Sequence, residues 1–246
     1  MTLAMASTRS TRAYGGQDPA EMPAYPIAEV AQFLWVRQKS LRRWASGESG
    51  RTPVIRIADR ERLLLSFLNL AELHVLSFLR DQRVPLQAVR RSIDYLRTDC
   101  GLKDHPHPLL AVDIATDGRS VLIDEMKRAG VLVNISQHGQ LVMRELLDAH
   151  LKRLERDAST KAALRLFPFA WKWRSPDDAN SQPRPITIDP LVSAGRPVIS
   201  GTRVPTVEIA SRIAAGEPMP DVAKDMRLEL SQVEAALRYH VRIPAA

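Results

Sequence analysis

Twelve residues, Arg174-Ser-Pro-Asp-Asp-Ala-Asn-Ser-Gln-Pro-Arg-Pro185, carry three prolines and no apolar periodicity. Proline fixes φ and has no N–H to donate, so neither a long helix nor a central strand runs through such a stretch. The segment reads as an extended linker over 174–185 and divides the 246-residue chain. Upstream, composition separates three regions: a disordered polar arm over 1–24, a helix-rich domain over 25–97, and a mixed α/β region over 98–173. Downstream lies a tail over 186–246.

Periodicity then places the elements. Ile27, Val30, Ala31 and Leu34 share one face of a first helix, and Leu41 and Trp44 face inward from a second over 37–45. Segments 53–57 and 62–66 read as two strands around a turn at 58–61. Leu70, Leu73, Leu76, Phe78 and Leu79 mark an amphipathic helix over 68–80, and Pro85 opens another carrying Val89, Ile93 and Leu96. In the mixed region, Thr116-Asp-Gly-Arg119 predicts a hairpin between 110–114 and 120–124. A strand is expected over 130–135, a long helix over 140–156, and an aromatic strand over 164–173 that serves as core or interface. The tail predicts extended pieces at 186–188 and 197–199, then helices over 206–215, 220–226 and 231–242, the last opened by a Ser231/Glu234 capping box. The fold class is α+β, mainly helical.

Charge narrows the partners. The chain carries a net charge of +7, which favours polyanions. Between Arg37 and Arg62 lie eight cations (Arg37, Lys39, Arg42, Arg43, Arg51, Arg56, Arg60, Arg62) against Glu48, Asp59 and Glu61. Residues 184–246 set eight cations, Arg184 of the linker included, against seven acids and attract phosphate weakly. No apolar run is long enough to span a membrane, and the first residues lack the apolar core of a signal peptide. The lone Cys100 fits a reducing compartment and a small, partly buried role at a helix end. A cytoplasmic protein is expected.

The run Tyr25-Pro-Ile-Ala-Glu-Val-Ala-Gln-Phe-Leu-Trp-Val-Arg-Gln-Lys-Ser-Leu-Arg-Arg-Trp44 closely resembles the opening of the MerR family. Tyr25, Ile27, Glu29, Val30, Ala31, Val36, Ser40, Leu41, Arg42 and Trp44 fall on its pattern without a gap. The resemblance implies a winged helix-turn-helix, with Arg37, Gln38, Lys39, Ser40, Arg42 and Arg43 on the DNA-reading helix and Arg56, Arg60 and Arg62 on the wing. Trp35 stands where the family has glycine, at a turn that favours positive φ. The family's long dimerisation helix and its metal- or drug-binding tail have no counterpart, so an inducer response does not carry over.

In the tail, Asp189-Pro190, then Gly195-Arg-Pro-Val-Ile-Ser-Gly-Thr-Arg203, then Gly216, Val233, Ala236, Leu237 and Tyr239 resemble a small antitoxin domain long known only as a domain of unknown function. The whole layout is similar to VapB-like antitoxins. That resemblance implies a three-helix, homeodomain-like tail and a PIN-domain ribonuclease toxin as partner. Gly195 and Gly201 are most simply turn glycines. Arg196 and Arg203 are the candidate partner-binding residues, although for Arg203 a pairing with Asp189 inside the domain is the favoured alternative.

Other signals point nowhere specific. His105-Pro-His107 offers two metal ligands without a matching cluster, and Asp113, Asp117, Asp124 and Glu125 lack the spacing that holds a divalent ion. No phosphate-cradling loop or nucleophile elbow occurs. The expectation is a non-enzymatic antitoxin without cofactor, catalytic residues or metal, dimeric, binding its own promoter DNA and a ribonuclease toxin. The alternatives are a free-standing MerR-like regulator that responds to a ligand or protein, and a metal-dependent nuclease, which lacks a carboxylate set.

Overall fold

A computed structural model of the chain describes residues 14–47, 52–99, 102–103, 105–111, 124, 128, 145–169 and 175–241. In chain order its elements are β1 (Tyr25–Pro26), α1 (Ile27–Phe33), α2 (Gln38–Ser46), β2 (Leu64–Leu65), α3 (Phe67–Asp81), α4 (Leu86–Thr98) and α5 (Pro108–Ala111). There follow β3 (Leu154–Arg156), β4 (Ala163–Leu166), α6 (Pro176–Ser181), β5 (Ile186–Thr187), β6 (Val198–Ile199), α7 (Thr206–Ala214), α8 (Met219–Met226) and α9 (Leu230–Val241). The fold is α+β and mainly helical. The described strands pair as three antiparallel ribbons, β1 with β2, β3 with β4 and β5 with β6.

The centre is α3. Sequence periodicity suggests a one-sided amphipathic helix there, yet it is buried nearly all round, including Asn69, Glu72 and His74. Each buried polar group has a partner, as the cost of desolvation requires. Glu72 accepts from His107 Nδ1 at 3.1 Å and from the Leu109 N–H at 3.3 Å, tying α5 to α3. This is where one histidine of the His105-Pro-His107 pair is engaged. His74 donates through Nε2 to the His150 carbonyl at 3.3 Å, and His150 donates through Nδ1 to Leu146 O at 3.0 Å. The two imidazoles stack 5.3 Å apart against Phe78 and Phe169.

Several expectations need correction. Residues 14–24 are ordered rather than a disordered arm. Asp18 Oδ1 accepts the Ala20 N–H at 2.9 Å, the Leu68 N–H bonds Ala20 O at 3.0 Å, and the Ala24 N–H bonds Leu65 O at 2.9 Å. Residues 1–13 of that arm lie outside the described residues. The helix expected over 140–156 is helical at 145–151, but then turns so that Leu154–Arg156 can pair with Ala163–Leu166. Leu110 and Ala111, expected in a hairpin strand, sit in α5, and Asp124 is helical. The remainder of that hairpin, the strand at 130–135, Cys100, Trp171 and Trp173 lie outside the described residues. Phe167 and Phe169 are buried, but β4 ends at Leu166.

The presumed linker is the largest revision. Pro176–Ser181 form α6, with Pro in the first turn and the Ser175 hydroxyl accepting the Asp178 N–H at 3.2 Å. The chain that follows α6 is pinned to the mixed region. Arg153 Nη1 donates to Pro183 O at 3.1 Å, Arg184 Nη2 donates to Lys152 O at 2.9 Å, and Leu166 and Ile188 exchange both backbone bonds at 2.9 and 2.8 Å. The tail helices start and stop within a residue or two of their predicted bounds. The last begins at Leu230, one residue early, and the Glu229 N–H donates to Gln232 Oε1 at 2.9 Å, so Ser231 lies inside the first turn rather than at the cap.

Candidate nucleic-acid interface

The first helix pair is built by local sequence. α1 buries Ile27, Val30, Ala31 and Phe33. It ends as the Trp35 N–H bonds Gln32 O at 3.2 Å and the Val36 N–H bonds Ala31 O at 2.9 Å. That pair of bonds is a Schellman motif, whose left-handed position is usually glycine. Here Trp35 occupies it at φ 54°. A side chain in this region costs roughly 1 kcal/mol or more. Two tail contacts offset it: the indole sits 5.9 Å from the Tyr239 ring, and the Tyr239 hydroxyl donates to Phe33 O at 3.1 Å.

α2 follows directly. Leu41, Trp44 and Ala45 form its buried face. Gln38, Lys39, Arg42 and Arg43 are exposed, as is Arg37 at its N-cap, and Ser40 is half-buried. The helix thus presents polar and cationic groups along one side and apolar anchors along the other. Arg43 also adds to the field around Arg80 on α3. Burial first, and then this neighbouring charge, lower the Arg80 guanidinium from its ordinary pKa.

The segment after α2 differs from the expected wing. It is not a pair of strands over 53–57 and 62–66. Only Leu64–Leu65 is a strand, and its partner is Tyr25–Pro26. A single bridge between Asp59 and Leu64 closes the turn, with Asp59 Oδ1 accepting the Glu61 and Arg62 N–H groups at 3.0 and 2.9 Å. The apolar residues Val54, Ile55 and Ile57 are buried in the core instead. Arg56, Arg60 and Arg62 are exposed on this loop.

Sequence reasoning missed what holds the loop. Asn69, fully buried in α3, accepts the Ala58 N–H at 2.9 Å and the Ser66 N–H at 3.1 Å through Oδ1, and donates to Arg56 O at 2.8 Å through Nδ2. Its N–H meanwhile bonds the Ser66 hydroxyl, completing a capping box. Arg90 Nη2 donates to Thr52 O at 2.9 Å and the Val54 N–H to Trp44 O at 2.8 Å. Asn69→Ala orphans buried donors and is expected to destabilise the chain by about 2 kcal/mol, read as a lower urea midpoint at unchanged slope. The detectable signal was Asn three residues after Ser66 at a helix start.

The tail is docked on this region. Arg196 forms an ion pair with Glu29 of α1. This candidate partner-binding residue is therefore engaged inside the chain, because the tail's first turn lies against the first helix. Asp189 pairs with Arg165 at 3.6 Å, not with Arg203. Arg203 is exposed and its guanidinium has no acidic partner among the described residues. A cavity of about 380 Å³ lies between the α1–α2 turn and the end of α9, lined by Gln32, Trp35, Arg37, Tyr239 and His240 among others. No group of three or more His, Cys, Asp or Glu suited to a metal occurs among the described residues. No helix among them is long and apolar enough to cross a membrane.

Residues 186–240 match the family described as "Protein of unknown function (DUF433)". The chain is 28% identical over 239 residues to a Mycobacterium tuberculosis protein named "Putative antitoxin VapB45", covering 88% of this chain and 93% of that one. It is 26% identical over 226 residues to "Uncharacterized protein Rv2308" of the same organism, covering 87% and 89% respectively. The X-ray crystal structure of Rv2018 from Mycobacterium tuberculosis superposes with a TM-score of 0.61 at 27% identity, covering 88% of this chain and 98% of that one. The similarity to the protein named "Putative antitoxin VapB45" thus extends well beyond residues 186–240, over 88% of this chain.

Proposed function

We propose that this protein is the antitoxin of a type II toxin–antitoxin pair. It neutralises a PIN-domain ribonuclease toxin in the cytoplasm and represses its own promoter as a dimer, with no catalysis or cofactor of its own. The observation that carries this reading is the similarity, over 88% of this chain, to the mycobacterial protein named "Putative antitoxin VapB45".

In this reading α1 and α2 are a MerR-like helix-turn-helix. The exposed side of α2 enters the major groove, Arg42 and Arg43 contact base edges and phosphates, and the loop bearing Arg56, Arg60 and Arg62 follows the adjacent backbone. Dimerisation supplies the second half-site. Arg203 is a tail cation open to an acidic partner surface.

Two measurements test this reading. The tagged chain, captured from its own cells at moderate salt, is expected to bring down a small PIN-like protein in stoichiometric amount. Capture of promoter DNA without any such protein rejects the antitoxin role. Arg42→Ala is expected to weaken promoter binding about tenfold or more, and each lost phosphate contact to reduce the salt slope by about one. An unchanged titration removes α2 as the reader. The 380 Å³ cavity beside the turn, within the size range of small-molecule sites, favours the second reading, a free-standing regulator that responds to a ligand.

A further inference from the structure

We infer that the C-terminal tail is a working part of the DNA reader, with Tyr239 acting through Phe33 and Trp35 as the positioning residue for α2. The inference rests on the proposed DNA-binding role of α2.

Two tail contacts converge on the segment that sets the angle between α1 and α2, and a third holds α1 itself. The Tyr239 hydroxyl is buried and donates to Phe33 O, a carbonyl at the end of α1 that the helix itself leaves unbonded. The Tyr239 ring packs on Trp35, the residue in the left-handed conformation. Upstream, Arg196 pairs with Glu29 in the middle of α1. Trp35 packs against the tail's apolar cluster as well as the head's, so the turn belongs to both cores.

Position Trp35 makes the point sharply. Glycine is the natural residue at this place in a Schellman motif, so a turn designed for local comfort alone would carry it. A tryptophan gives up that comfort for a ring that the tail can hold. α2 starts three residues later, and Arg37 and Gln38 at its start line the same cavity as Tyr239 and His240. A shift of α9 is therefore passed directly to the start of the reading helix. Base readout requires several side chains to stay in register with the groove, whereas phosphate attraction tolerates small misplacement.

The test uses the full chain with two labelled duplexes, its own upstream region and a scrambled duplex of equal composition. Tyr239→Phe keeps the ring and deletes the bond to Phe33. It is expected to raise the Kd for the upstream duplex about fivefold while leaving the scrambled duplex and the salt slope unchanged. Amide exchange over residues 34–38 is expected to quicken in the same variant. Trp35→Gly separates two explanations by sign: a purely local turn would relax and hold promoter affinity, whereas loss of the tail's grip lowers it. Trp35→Phe, which retains a ring, is expected to restore most of the preference.

If Tyr239→Phe and Trp35→Gly both keep the parent's promoter preference and exchange pattern, the inference is overturned while Arg42→Ala still upholds α2 as the reader. If Arg42→Ala leaves affinity intact, the DNA-binding reading fails and this inference falls with it.

Discussion

Gly195→Ala is expected to lower the stability of the chain by about 3 kcal/mol, the sum of a left-handed side chain and an overpacked contact. Gly195 has φ +76°, and a Cβ there would overlap the Tyr25 hydroxyl oxygen and lie 2.8 Å from Cζ of the same ring. A side-chain tip can often swing aside, but Tyr25 is 2% exposed and its ring meets Phe33 edge-on at 6.3 Å. Moving it disturbs β1 and α1 together. Gly201 is the internal control. Its φ is +79° but nothing lies within 4 Å of its would-be Cβ, so Gly201→Ala carries only the backbone penalty of about 1 kcal/mol. Urea unfolding of both variants isolates the Tyr25 contact as their difference. Equal effects at the two glycines would show that the tail does not press on Tyr25.

Acidification should destabilise the protein on a similar scale, through His74 and His150. Burial is the main cause that pushes His74 down to about 4 and His150 well below its ordinary value, with the repulsion of neighbouring cations, Arg153 among them, adding to it. Both rings are neutral in the folded state and protonate more readily once unfolded, near 6.5. A folded pKa below the unfolded one means the contribution is complete above pH 6.5 and is lost as pH falls toward 4. For His74 alone the shift corresponds to about 3 kcal/mol. Urea unfolding at pH 7.5, 5.5 and 4.5 should trace a steady loss. His74→Phe and His150→Phe should each flatten it, since a phenyl ring fits the same aromatic stack and cannot take up a proton. A stability profile level from pH 7.5 to 4.5 would mean that these histidines are solvated.

The helices of the head and tail and the segment between them show where reading the chain residue by residue succeeds and where it stops. Ile27, Val30 and Ala31 recur at helical spacing, and they are the buried face of α1; Leu41 and Trp44 do the same for α2. The tail helices follow from their own periodicity and from the prolines beside them. Trp35 was marked by sequence as a departure at a turn that favours positive φ, and positive φ is what it adopts. In the 174–185 segment three prolines suggest a linker, while a shorter signal, Ser175 followed by Pro176, starts α6.

What the sequence determined by itself was the type and approximate bounds of α1, α2, α4 and the tail helices, and the inward face of the first three, because propensity, capping and periodicity act within a few residues. Only the tertiary structure decided what each face meets. Arg196 reads as a cation open to a partner until Glu29 is placed beside it, and Tyr239 reads as a helix-face aromatic until its hydroxyl reaches Phe33, 206 residues away. Asn69 gains its role only when the 56–58 loop folds over it. Periodicity records that a side chain is buried. The partner depends on where the backbone returns, and that is settled by the summed packing of the whole chain rather than by any local pattern.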